Sequence, residues 1–372
     1  MRIRLATLML LTGLLAASAA PAAAHATFVR SEPPPNATLP TAPARIQIWF
    51  AEPLEPSGST ASLYDADGKE ISGTRVGFGA DPMTMTMTLP STLPPGVYTV
   101  AWQTLSAADG HELQGYFAFS VGTTAATQTA FTPVESQGAP GWLQAASRWL
   151  AVLGLAVALA IWPIWLFVLQ PAAGDESVRA ALAQRARRFA AAAIVAAVVG
   201  NLAALLVQAA ALGSAAYPGA VWTTLSDTRY GRLWWWRIGL LAAYAFLLRI
   251  ADWKRPGRRT LPAGLGLIVA AAMPIPYSLN THAAAEPAGT TMAVATDALH
   301  LLGAALWAGG LFVLLIVLLP ALRGRATEGR AVLARALPRF SATALVAWAV
   351  LGLSGLYSAW LHVGSLDGLR ET

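Results

Sequence analysis

Residues 292–319 read MAVATDALHLLGAALWAGGLFVLLIVLL, a run whose only ionisable groups are Asp297 and His300. At 1.5 Å per residue, a helix of this length exceeds the roughly 30 Å of hydrocarbon in a bilayer. Five more apolar runs are long enough to cross: Trp142–Leu169, Phe189–Leu212, Leu233–Ile250, Leu261–Leu279 and Phe340–Leu361. The chain is 56% apolar and 12% charged, a balance foreign to soluble domains. Residues 142–372 therefore read as an all-α, multi-pass membrane domain of six spans.

The loops give its orientation. Basic residues cluster after spans one (Arg179 to Arg188), three (Arg249 to Arg259) and five (Arg323 to Arg339), while the loop after span four has none. By the positive-inside rule those three loops are cytoplasmic and everything before span one is outside. The net charge of +6 is split accordingly: −6 over residues 25–140 and +10 over residues 141–372. The basicity is thus a matter of membrane topology, and nucleic acid is not an expected partner.

A weak repeat runs through the spans. Leu166-Phe167-Val168-Leu169-Gln170-Pro171 returns 149 positions later as Leu315-Ile316-Val317-Leu318-Leu319-Pro320. Arg188-Phe189 returns 151 positions later as Arg339-Phe340. Spans five and six read as copies of spans one and two, so a four-span unit is duplicated. The second copy lacks its last two spans, and the sequence reads as C-terminally incomplete after Thr372.

Ahead of the spans the texture changes. Residues 1–24 have the form of a secretory signal, with Arg2 and Arg4, an apolar Leu8–Leu15 core and Ala22-Ala23-Ala24 as the cleavage site. From 25 to 122, short alternating segments are split by Pro and Gly: Arg45–Phe50, Ser59–Tyr64, Met83–Leu89, Val97–Trp102 and Gly115–Val121, with turns at Asp67-Gly68 and Pro94-Pro95-Gly96. This predicts a small all-β sandwich or barrel, followed by a linker over 123–141. Trp49, Tyr98 and Trp102 are expected in its core. Met83, Met85 and Met87 fall on one strand face, and two readings stand: thioether ligands for Cu(I), or core packing, which is the expectation.

Cleavage after Ala24 would leave His25 with a free α-amino group beside its imidazole, two nitrogens able to close one chelate ring. Asp109-Gly110-His111 offers a second imidazole and a carboxylate. The chain has no cysteine, so thiolates are excluded as ligands. Nitrogen with one oxygen in a tetragonal set suits Cu(II).

Pro95-Gly96-Val97-Tyr98-Thr99-Val100-Ala101-Trp102, Ser106-Ala107-Ala108-Asp109-Gly110-His111 and Gly115-Tyr116-Phe117-Ala118-Phe119 closely resemble the C-terminal half of CopC copper-binding domains. Asp297 to Gly310 resembles the CopD signature, and the whole is similar to a CopC–CopD fusion of the YcnJ type. The resemblance implies a cupredoxin- or Ig-like Greek-key domain carrying Cu(II) on His25, Asp109 and His111. One departure is that two alanines separate Ser106 from Asp109, where the family often has a single residue. CopD-like domains commonly carry eight spans.

Within the spans, Asp297 and His300 are three apart and share a helix face, with Trp307 two turns on. Ionisable groups at that depth are costly and usually face a pathway or a partner. Asp297 could fix the tautomer of His300, or simply stabilise the helix N-terminus. His282, at the outer end of span four, matches a similar histidine in the family; with His300 and Met292 it could form an outer copper site. His362 is a weaker candidate. Gly303, Gly309, Gly310, Gly352 and Gly355 are expected to allow close helix packing.

The reading is a plasma-membrane protein, not an enzyme, that captures Cu(II) outside the cytoplasm and passes copper across the bilayer. Its expected partners are copper ions, lipid and other copper-handling proteins. Its rivals are a copper-brace oxidase, a haem-binding electron carrier using His282 and His300, and a copper buffer or sensor with a membrane anchor.

Overall fold

The computed structural model describes residues 27–122, 139–212, 218–251, 253, 261–285 and 289–363. His25, the signal segment 1–24, most of the linker and the side chain of His362 lie outside them.

Eight strands form the β domain: β1 Phe28–Glu32, β2 Thr38–Leu39, β3 Arg45–Phe50, β4 Thr60–Tyr64, β5 Arg75–Phe78, β6 Thr84–Thr88, β7 Gly96–Leu105 and β8 Glu112–Val121. They build two four-stranded sheets, ordered β1-β3-β6-β5 and β2-β8-β7-β4, closed face to face. The period-two pattern decides which side chains meet. Ile46, Ile48 and Phe50 point inward from β3, and the register sets Ile46 against Met87 and Ile48 against Met85. Opposite them lie Leu63, Val100, Phe117 and Phe119. Met85 and Met87 are wholly buried, as core packing requires, and burying such a side chain stabilises by about 1.5–3 kcal/mol. Met83, just ahead of the strand, is half-buried.

Tyr98 and Trp102 are buried as expected, but Trp49 is not a core residue. It falls out of phase with Ile48 and Phe50, so its ring lies on the outer face with the Arg30 guanidinium 3.4 Å above it. Strands β7 and β8 form a ten-pair hairpin from Gly96↔Val121 to Leu105↔Glu112. Each strand runs three or four residues further than its apolar alternation suggests, and the hairpin carries the 106–111 loop at its tip.

Among the described residues seven helices follow: α1 Gly141–Ala172, α2 Glu176–Ala211, α3 Pro218–Asp227, α4 Arg229–Ile250, α5 Leu261–Ser278, α6 Thr290–Ala321 and α7 Thr327–Leu361. All except the short α3 are long and apolar enough to cross a membrane. Asp175 starts α2 by accepting from the Ser177 amide at 3.3 Å, and Thr228 starts α4 by accepting from Gly231 at 3.0 Å.

The repeat has a structural counterpart. Both α1 and α6 widen into a π turn, at Trp165–Leu169 and Leu314–Leu318, just before Pro171 and Pro320. Proline has no amide to donate and its ring crowds the carbonyl four residues back, which favours the wider turn. Gly174 (φ 68°) and Gly324 (φ 79°) then adopt the left-handed conformation that reverses the chain.

Helices α1 and α2 approach so closely that a Cβ on Gly154 would stand 2.4 Å from the Ala197 nitrogen. Gly309 lets α6 onto α1 likewise, at 2.5 Å from the Ala156 oxygen, and Gly303 and Gly310 face α7. Gly352 has nothing within 4 Å of an added Cβ, so the packing expectation fails there.

Candidate metal centre and the interface beneath it

The 106–111 loop is built by its own backbone. The Ser106 amide donates to the His111 carbonyl at 2.8 Å, and the Gly110 amide donates to Ser106 at 2.9 Å. Asp109 Oδ1 accepts from the His111 amide at 3.0 Å, and its Oδ2 meets His111 Nδ1 at 2.5 Å. Gly110, at φ 73°, makes the turn between them. The two predicted ligands are therefore in direct contact, with Asp109 only 4% exposed.

Two further side chains join them. Glu52, at the end of β3 and 6% exposed, accepts from Ser106 Oγ on Oε2 at 2.6 Å and meets His282 Nδ1 on Oε1 at 3.0 Å. His282 belongs to a 3₁₀ turn, His282–Ala284, in the connection between α5 and α6, and its Nε2 lies 3.5 Å from Asp109 Oδ2. The rings of His111 and His282 are nearly parallel, 14° apart in plane with centroids at 6.5 Å. Donor atoms of Glu52, Asp109 and His282 all fall within 4.8 Å of one another. Burial alone would raise the Asp109 carboxyl, but the His111 hydrogen bond and charge, with His282 adding, hold it well below the usual range. The Glu52 hydrogen bond raises His282 against its burial, and Asp109 reinforces this.

The loop is anchored to the helices through its main chain. Arg229, at the start of α4, donates Nη1 to the carbonyls of Ala107 (2.8 Å) and Ala108 (3.3 Å) and Nη2 to Leu279 (2.6 Å). Its own amide donates to Glu55 at 3.0 Å. Arg148 of α1 and Asn280 reach the Asp109 carbonyl at 3.3 and 3.5 Å, and Gln208 of α2 reaches Gly110 at 3.4 Å.

Beneath the loop a cavity of about 340 Å³ extends from Gly110 to His300 of α6. Polar groups line it: Asn201, Tyr230, Arg237, Tyr277 and Asp297 among them. Arg237 is buried, donating twice to the Pro276 carbonyl and lying 4.5 Å over the Tyr277 ring. Ser354 Oγ gives its proton to Val350 (2.6 Å), so it accepts from His300 Nδ1 at 3.0 Å. That fixes the tautomer and leaves Nε2 with its lone pair.

Several expectations change here. The contact at His300 Nδ1 is made by Ser354, while Asp297 Oδ2 lies 3.3 Å from Thr281 Oγ1. His282 meets Glu52 and Asp109, whereas His300 meets Ser354, so the two histidines are engaged at different places. Met292, at the start of α6, is 60% exposed. Glu52, Arg229 and Arg237 were missed. A carboxylate in an Ala-Glu-Pro loop reads as solvated, and the one available signal for Arg237 was a charge inside an apolar run.

The CopC domain family matches residues 28–122, and the N-terminal domain of copper resistance protein D-like proteins matches residues 135–292. "Copper resistance protein C" of Escherichia coli is 33% identical over 116 residues, covering 29% of this chain and 90% of that protein. The chain belongs to the CopC family. "Copper transport protein CutJ" of Bacillus subtilis is 30% identical over 361 residues, 94% of this chain, and the chain spans 63% of that relative's length. The crystal structure of CopC from Methylosinus trichosporium OB3b shares 30% identity, covering 26% of this chain and 93% of that one with a TM-score of 0.24. The CopC domain thus comprises the β sandwich, and the CopD-like match takes in the helices from α1 to the start of α6.

Proposed function

We propose that this CopC–CopD protein captures Cu(II) on the outer side of the plasma membrane and passes copper inward through its helices. The observation that carries the reading is the seating of the Asp109–His111 loop directly over the cavity that leads to His300. Imidazole nitrogen with carboxylate oxygen suits Cu(II), and the amino group and imidazole of His25 would complete the set once residues 1–24 are removed. Residues 25–122 serve as the capture domain, 123–141 as its tether and 142–372 as the conduit. The charged loops support an outside position for the capture domain. Copper is cargo here: carboxylate and imidazoles fill coordination positions that oxygen chemistry would need open, which favours transfer over turnover. The route is completed by His300 Nε2, whose lone pair Ser354 leaves available, with Asp297 beside it.

Proteoliposomes enclosing a copper indicator test this. Asp109→Asn with His111→Ala should slow uptake at least about tenfold at limiting copper, and His300→Ala should slow it with capture intact. Uptake at the parent rate in both would overturn the proposal. Capture without any uptake would leave a membrane-anchored copper buffer.

A further inference from the structure

We propose that the copper site is completed across the domain interface, with His282 of the α5–α6 connection as the ligand that receives the metal from His111. This deepens the capture reading above and rests on it.

Three observations converge. Both histidine rings flank the same carboxylate oxygen, Asp109 Oδ2, at 2.5 Å from His111 Nδ1 and 3.5 Å from His282 Nε2. An ion about 2.0–2.2 Å from each donor separates adjacent donors by roughly 3 Å, so the 3.5 Å gap has to close and the 2.5 Å hydrogen bond to open, each by about half an ångström. Second, Glu52 is not itself placed to be the principal ligand. Its two oxygens are engaged by Ser106 and by His282 Nδ1, the arrangement by which a carboxylate fixes an imidazole and presents the opposite nitrogen to a metal. Third, His282 comes from the membrane part of the chain and is rigidly placed. Thr281 Oγ1 donates to Ser278 at 2.9 Å, and the Ala284 amide donates to Thr281 at 3.0 Å.

The handover is a ligand exchange with no change of oxidation state. Asp109 keeps its hold, and the imidazole of His282 adds to a site still held by His111, so the loaded site carries both rings; departure of His111 then completes the transfer. The metal moves from a ligand set wholly within the β domain to one shared with the helices, without passing through water. The two rings lie nearly parallel, 14° apart in plane with centroids at 6.5 Å, on the same carboxylate.

The test uses the full chain in nanodiscs with one equivalent of Cu(II). Pulsed EPR counts the coordinated imidazoles and a competition titration gives affinity. His282→Ala and His282→Gln should each remove one imidazole from the count and weaken Cu(II) binding by about tenfold or more, because even orienting residues around a metal are worth 10–100-fold. An unchanged imidazole count and affinity in both variants would overturn the proposal. So would a loss in His282→Ala that is repaired by His282→Gln, which keeps a donor to Glu52 but not the ligand; His282 would then serve docking alone. Failure of the capture reading is distinguishable, since His111→Ala and Asp109→Asn would then also leave the spectrum unchanged.

Discussion

Arg229→Met is the substitution that most directly tests whether the two domains act as one. It keeps much of the aliphatic stem and removes the guanidinium, whose Nη1 holds the carbonyls of Ala107 and Ala108 and whose Nη2 holds Leu279. Hydrogen bonds to charged groups are worth about 1.5–3 kcal/mol each. Arg229 is half-buried and the 3.3 Å bond is weak, so the two bonds that cross the interface should together contribute about 2–3 kcal/mol. At 1.4 kcal/mol per factor of ten, the docked-to-undocked ratio falls about 30- to 150-fold. The chain has no native cysteine, so a nitroxide pair at Thr88→Cys and Ser226→Cys, both exposed positions, is unique. Double electron–electron resonance would be recorded in salt raised until the parent shows a few per cent of a longer, broader distance. That population should come to dominate in Arg229→Met. An unchanged distribution would refute the clamp and, with it, the idea that docking places the loop over the cavity.

Gly110→Ala combines a left-handed φ, costing about 1–2 kcal/mol in a residue with a side chain, with a Cβ 2.5 Å from Gln208 Oε1. Copper affinity should fall about tenfold, and adding Gln208→Ala should recover only part, as measured by competition titration. Docking of the metal-free protein should also depend on pH. The proton on His282 is favoured by docking, so its contribution is complete below the undocked value near 6.5 and is lost as pH rises through the raised docked value. Asp109 is held low mainly by His111 of its own loop, which stays beside it when the domains part, so only the smaller effect of the His282 charge ties its titration to docking. The longer nitroxide distance should therefore gain population from pH 6 to 9, and His282→Gln should flatten that rise.

Much of the architecture was legible in one dimension because its physics is local. Hydropathy places all six spans, since a bilayer demands about twenty apolar residues whatever their partners. Alternation finds β3, β4, β6, β7 and β8, whose inward faces are apolar. It misses β2, two residues long, β5, four residues with a glycine among them and none buried, and β1, where a register shift between Phe28 and Arg30 breaks the period. Trp49 was misassigned because size suggested the core, whereas strand phase decides the face. Asp109 and His111 were readable because neighbours in sequence stay neighbours around a tight turn. Glu52 and His282 come from 54 residues before Ser106 and 171 after His111 and meet only by docking, which no local pattern reports. Arg229 escaped for the same reason: beside Asp227 and Arg232 it looks like an ordinary interfacial charge.

The anchoring of the 106–111 loop separates two properties that proteins often entangle. Arg229, Arg148, Asn280 and Gln208 grip main-chain oxygens at 107, 108, 109 and 110, atoms that every residue type possesses. These main-chain grips are therefore indifferent to what the loop displays, apart from the left-handed turn at Gly110, while the side chains of Asp109 and His111 add contacts of their own to His282 and Arg148. Exchanging His111 for another donor would retune which ion is chosen while leaving the seat in place, so selectivity can drift in this scaffold without dismantling the connection to the membrane.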